Sequence, residues 1–120
     1  MTTYLTLEDL LGLVDDLGVG PIRDLGLLDS AAYRPSASIY GQDAYPTLDE
    51  KSAVLLESIV GNHPLVDGNK RLGWLALVVF FGINDVALHA PDDEAYDLVI
   101  AVASGEVDHH VIARILTDWH

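Results

Sequence analysis

His63-Pro64-Leu65-Val66-Asp67-Gly68-Asn69-Lys70-Arg71-Leu72-Gly73-Trp74 lies at the middle of a 120-residue chain. It sets a titratable base, a carboxylate, a Gly-Asn turn and two adjacent cations directly before the most apolar segment, Leu72 to Ile83. Pro64 has no amide hydrogen and keeps the residue before it out of right-handed helical geometry, so a helix stopping at Gly61-Asn62 leaves His63 in a loop. A second helix is expected from Gly68 or Asn69 through Phe81, since that stretch is long, rich in Ala and Leu, and free of proline. Apolar nearly all round from Leu72, it reads as the hub of the core, surrounded by other helices. Gly73 would let a neighbour approach closely.

Working upstream, Thr47-Leu48-Asp49-Glu50 has the capping-box pattern that starts a helix, and Leu48, Leu55 and Ile59 recur on one of its faces. Thr6 is expected to cap a first helix carrying Leu7, Leu10, Leu11 and Val14, ended by Gly18 and Gly20-Pro21. Asp24 to Tyr33 reads as a second helix closed by Arg34-Pro35. The connector Ser36 to Pro46 has no clear period. Its Tyr40 and Tyr45 are candidates for docking a target, against the plainer reading that they pad the core. Downstream, Asp92-Asp93-Glu94 starts a fifth helix that Gly105 stops, and a sixth runs from about Asp108. Strand-like alternation is almost absent and no repeat occurs. The expectation is a single all-α domain over residues 1–120, a compact six-helix bundle around a buried central helix.

Composition narrows the function. With 19 acidic and 6 basic residues the formal charge is −13, so the general field repels nucleic acid and anionic membrane. The absence of cysteine excludes disulfides and thiolate metal sites. The N-terminus lacks a basic region followed by an apolar run, and Leu72–Ile83 falls short of the roughly 20 residues that span a bilayer. A cytoplasmic location is the default expectation.

In so acidic a chain, Lys70 and Arg71 reverse the local sign. The first turn of a helix presents unpaired N–H groups and the positive end of a dipole, a seat for phosphate. Gly68 would let backbone approach the anion, Asn69 would add a side-chain donor, and Lys70 and Arg71 would neutralise phosphate oxygens. Asp67 beside phosphate calls for a cation, and magnesium usually takes one or two carboxylates together with phosphates. His63 is of the one residue type that exchanges protons near neutral pH and would take the proton of an attacking hydroxyl. Together these imply transfer of a phosphorus group from a nucleoside triphosphate to an alcohol. Each has a plainer reading: a structural histidine, ordinary turn chemistry, a solvated helix start. A metal site from His89, His109 and His110 is weaker, because adjacent histidines on a helix are expected to point to different faces.

The loop resembles the signature of the Fic/Doc family, H-P-F-x-[D/E]-G-N-x-R, through His63, Pro64, Asp67, Gly68, Asn69 and Arg71. Asn69-Lys70-Arg71 is similar to the Doc branch, toxins of toxin–antitoxin modules, and Arg23-Asp24-Leu25-Gly26-Leu27-Leu28-Asp29-Ser30-Ala31 with Arg34-Pro35 resembles the opening of the second helix in Doc-like proteins. The resemblance implies His63 as catalytic residue, Asp67 as magnesium-associated carboxylate, Gly68 and Asn69 as the anion-binding turn, and Lys70 and Arg71 as phosphate-binding cations. It implies ATP and Mg2+ as substrate and cofactor. Fic proteins typically transfer AMP; Doc-like proteins are described as kinases of elongation factor Tu that stop translation. Trp74 stands where the Fic branch has a second arginine, which favours the Doc-type reaction, and Leu65 replaces the usual phenylalanine as a packing anchor. The family's inhibitory pattern, [S/T]-x-x-x-E-[G/N], does not occur, so restraint is expected from a separate Phd-type antitoxin whose tail folds as a helix into a groove. The alternatives are a Fic-type adenylyltransferase and a non-catalytic antitoxin-binding module.

Overall fold

Thr6 accepts a hydrogen bond from the Asp9 amide at 3.2 Å, and the Asp9 carboxylate accepts one from the Thr6 amide at 2.9 Å. This reciprocal pair satisfies two orphan donors at the start of α1 (Leu7–Leu17). The computed structural model describes residues 1–120. Asp24 caps α2 (Leu25–Tyr33), which runs into a 3₁₀ turn at Arg34–Ser36. Thr47 caps α3 (Leu48–Asn62), and Asp108 caps α6 (His109–Thr117). Between them lie α4 (Asn69–Ile83) and α5 (Asp92–Ala103). At α3 the Glu50 carboxylate turns to the Thr47 hydroxyl, 3.0 Å away, instead of to the cap's backbone N–H.

Six helices are expected and six form. The connector differs: it contains a hairpin, β1 (Ser38–Ile39) antiparallel to β2 (Gln42–Asp43). Tyr40 and Gly41 at its tip both have positive φ, 51° and 78°. No helix is long and apolar enough to cross a membrane.

The hub is α3, not α4. Nine of the fifteen α3 residues are buried, against six of fifteen in α4, and α3 packs on α2, α4, α5, α6 and the 3₁₀ turn. The reason is the placement of polar partners. Lys51 is 1% exposed, yet its ammonium meets Asp43 at 3.1 Å and the Tyr45 carbonyl. Arg34 donates to Glu57 at 2.8 Å and to Ser58 at 3.0 Å. Polar groups satisfied in this way let α3 sit inside. By contrast α4 leaves Trp74 and Leu75 half-buried and Val78 exposed, lining a groove with Tyr96, Val99 and Ile100 of α5.

Apolar side chains form two clusters on either side of the α3–α4 pair. Leu56, Val60, Leu77 and Phe81 join α5 and α6, and Leu55, Ile59, Leu72 and Phe80 join α1 and α2. The helices approach closely at Gly73, where a Cβ would lie 2.5 Å from Val60 Cγ2. The pair is thus fixed at its centre, and the loop joining α3 to α4 leaves from a rigid mount.

Candidate active site

The loop begins where α3 ends. His63 is the C-terminal cap, in left-handed geometry with φ 53° and ψ 60°. Pro64 excludes the right-handed region here, as expected, and the helix continues through Gly61 and Asn62 before stopping. His63 is exposed, while Pro64 and Leu65 are buried. The imidazole therefore stands in solvent on a loop whose next two residues are anchored in the core.

A second segment, residues 20–24, clips this loop edge to edge. Ile22 forms an antiparallel bridge with Leu65. The amides of Arg23 and Asp24 donate to the Pro64 carbonyl at 2.8 and 3.0 Å, Val66 donates to Pro21 at 2.9 Å, and Gly20 donates to Asp67 at 3.1 Å. The Arg23 side chain donates from Nε to the His63 carbonyl at 2.7 Å and from Nη2 to the Asn62 carbonyl at 2.9 Å. Backbone polar groups that a loop would otherwise leave to water are paired within the protein.

The turn into α4 is held from both sides. Asn69 accepts from the Leu65 amide and donates to the Leu65 carbonyl, both at 2.9 Å, so its carboxamide braces the loop. Gly68 has φ 94°, and a Cβ there would lie 2.4 Å from Val19 Cβ and 2.6 Å from Val19 Cγ1. Glycine at this position is thus required by the packing of Val19. Asp67 accepts from the Gly68 amide at 2.9 Å, and its other oxygen lies 3.8 Å from Arg71 Nη2, the two side chains being 84% and 62% exposed.

The first intrahelical bond of α4 runs from the Leu72 amide to the Gly68 carbonyl, 2.9 Å. The amides of Asn69, Lys70 and Arg71 have no partner in the chain, and no side chain caps the helix. Three free N–H groups at the positive end of a fifteen-residue helix make an anion seat. Lys70 and Arg71 are both exposed in that same turn.

The remaining cations are engaged elsewhere, with one exception. Lys51 is paired with Asp43 and Arg34 with Glu57, and Arg23 holds carbonyls. Burial would lower the Arg34 pKa, but the bonds to Tyr45 and Glu57 outweigh it and hold it above its usual value. Arg114 is exposed on α6. Positive charge free to meet a ligand is therefore concentrated at the loop.

The structure brings His63, Asp67, Gly68, Asn69, Lys70 and Arg71 together on one loop and the first turn it feeds. Two residues that hold it, Val19 and Arg23, have no marked role in the sequence; Arg23 is visible only within its Arg23-Asp24 stretch. Tyr45 pads the structure: it lies edge-on to His109 at 5.6 Å, with Arg34 at 5.6 Å over its ring. Tyr40 is fully exposed. The rings of His109 and His110 lie 4.1 Å apart, not on different faces, and His109 sits 3.5 Å from Glu57.

Comparison with known proteins gives two matches. The model described as the Fic/DOC family covers residues 4–81. A Mycolicibacterium smegmatis protein named Toxin Doc is 49% identical over 123 aligned residues, which span 99% of this chain and 95% of that one.

Proposed function

Because the chain belongs to the Fic/DOC family, we propose that it is a Doc-type toxin of a toxin–antitoxin module, a cytoplasmic kinase that moves phosphate from ATP to a hydroxyl of a translation factor, elongation factor Tu. What carries this reading is the first turn of α4, where three unpartnered amides, Lys70 and Arg71 meet in a chain of charge −13. A triphosphate is the ligand that such a seat attracts.

In this scheme the target hydroxyl oxygen forms a bond to the γ-phosphorus. The bond from that phosphorus to the β,γ-bridging oxygen breaks, and ADP leaves with the electron pair. His63 accepts the hydroxyl proton. Lys70, Arg71 and the free amides hold phosphate oxygens and orient the transferring group, and electrostatic positioning is the larger part of catalysis in phosphoryl transfer. Gly68 and Asn69 keep the turn open to the anion by fixing its shape. Asp67 would hold the magnesium ion that accompanies ATP: its exposed carboxylate has only the Gly68 amide and a loose contact to Arg71. Bound there, the ion would offset charge on the triphosphate.

Transfer of phosphate rather than AMP is supported at Trp74. Its indole packs edge-on to Trp119 at 6.3 Å, and no lysine or arginine follows Arg71 until Arg114. A Phd-type antitoxin is the proposed restraint. The groove between α4 and α5, about 730 Å³ and mostly apolar, suits an amphipathic helix.

The test is incubation with elongation factor Tu and ATP labelled at either the α or the γ phosphate. Label from the γ position, abolished by His63→Ala, is expected; label from the α position alone overturns the kinase and leaves the adenylyltransferase. A second reading, a non-catalytic antitoxin-binding module, is favoured by the bracing roles of Asn69 and Gly68. It predicts that His63→Ala leaves the effect of the protein on growth unchanged.

A further inference from the structure

Five of the six α-helices close their C-termini in the ordinary way, the cap amide returning to a carbonyl of the last turn: Gly18, Arg34, Asn84, Ser104 and Asp118 all do so. The sixth, α3, does not. The amide of its cap, His63, makes no such bond, and the next residue, Pro64, has no amide hydrogen to offer. The end of α3 therefore lacks the backbone donors that hold a left-handed cap in place elsewhere.

Arg23 brings side-chain donors to this end instead. Its guanidinium reaches the Asn62 and His63 carbonyls through two different nitrogens, at 2.9 and 2.7 Å, from forty residues away in sequence. Its own amide donates to the next carbonyl, that of Pro64, at 2.8 Å. One residue thus binds three consecutive carbonyls, those of residues 62, 63 and 64. A cation at the negative end of a helix is also electrostatically favourable. Two donors in a rigid planar fork fix orientation as well as distance, which a single ammonium cannot do.

We propose that Arg23 is the positioning residue for His63: by closing α3 in place of the backbone, it fixes the left-handed conformation from which the imidazole is presented. This rests on the reading of His63 as the proton acceptor. The conformation is one that a residue with a side chain rarely adopts, and it persists only where surrounding contacts determine it. Removal of the clamp releases His63 into a range of conformations, while the first turn of α4, which binds the anion, keeps its own supports in Asn69 and Val19. Turnover then falls and nucleotide binding does not.

The experiment compares the wild-type protein with Arg23→Ala and Arg23→Lys. Phosphate transfer from ATP to elongation factor Tu gives kcat and KM for ATP, and two-dimensional NMR of ¹³C,¹⁵N-labelled protein reports the His63 ring and Cα resonances. The alanine variant is expected to lose roughly 10- to 100-fold in kcat, the scale on which small misplacements of a catalytic group act. KM for ATP stays within about twofold. His63 resonances shift or broaden while those of Lys70 and Arg71 hold, and lysine gives an intermediate result. Unchanged kcat with unchanged His63 resonances in Arg23→Ala overturns the proposal, as does a rise in KM with kcat retained. Where Arg23→Ala fails to fold, Arg23→Lys decides by the same two readouts. Where the wild-type protein transfers no phosphate, the kinase reading fails, and the His63 resonances alone still decide whether Arg23 sets the conformation.

Discussion

Replacement of Gly68 by alanine perturbs the loop at its tightest point, and its cost can be divided into two parts. At φ 94° a residue with a Cβ carries a backbone penalty of about 1–2 kcal/mol relative to glycine. The added carbon would also lie 2.4 Å from Val19 Cβ, and overpacking of this kind costs about 1–3 kcal/mol. The sum is about 2–5 kcal/mol, a large share of the 5–15 kcal/mol typical of a domain. At about 4 °C per kcal/mol for a chain of this size, melting falls by about 8–20 °C. Differential scanning calorimetry with urea unfolding at 25 °C measures both numbers. A double-mutant cycle separates the parts. Val19→Ala retains the Cβ that clashes and should restore little, whereas Val19→Gly removes it and should show a favourable coupling of about 1–3 kcal/mol with Gly68→Ala. The backbone part should survive in that double variant. A Gly68→Ala protein within about 0.5 kcal/mol of wild type refutes the reasoning. So does equal rescue by alanine and glycine at position 19.

Three further outcomes are expected. Asn69→Ala removes both bonds to Leu65, leaves the amide of a 1% exposed residue unpaired, and should cost about 1–3 kcal/mol in urea unfolding. Lys51→Met releases the hairpin from α3 while Asp43, 55% exposed, stays solvated; hydrogen exchange at residues 38–43 should accelerate with little change at α4. Asp108 is held below the usual carboxylate range by the bond from the Val111 amide, with smaller help from His110 and His109. Its lowered pKa means that the stabilisation is complete above the ordinary carboxylate range and is lost as pH falls through the depressed value. In an acid series of melting temperatures, Asp108→Asn should lose less stability than wild type between about pH 5 and pH 2.

The helix caps were legible because their chemistry is local: Thr6, Asp24, Thr47 and Asp108 each bond an amide three residues on. The loop was legible for the same reason, since its candidate residues are neighbours in sequence. What escaped depends on distant partners. Lys51, Glu57 and Ser58 make α3 look like a surface helix, and nothing local says that Asp43, Tyr45 and Arg34 cover these polar groups. The apolar run of α4 suggested a central helix, yet Trp74, Leu75 and Val78 face a groove. Tyr40-Gly41 lacks the Asn-Gly or Asp-Gly signal of a tight hairpin, so β1 and β2 left no mark. Gly68 and Asn69 carried a phosphate-turn reading, and only the position of Val19 and the Leu65 bonds reveals their bracing work.

The clip between residues 20–24 and 64–67 has a consequence for the order of events during synthesis. The two strands of contact stand about forty residues apart in sequence, and the earlier one emerges from the ribosome first. Such a long-range pairing carries a loop-closure cost that local helices do not. The first two helices are available before the loop has been made, but the loop cannot acquire its edge until α3 and α4 have packed and brought it back to residue 20. A chain arrested before α4 would therefore carry His63 and Asp67 without the turn that holds Asn69, Lys70 and Arg71. Cleavage between Gly18 and Arg23 would disable the finished loop without touching any residue within it.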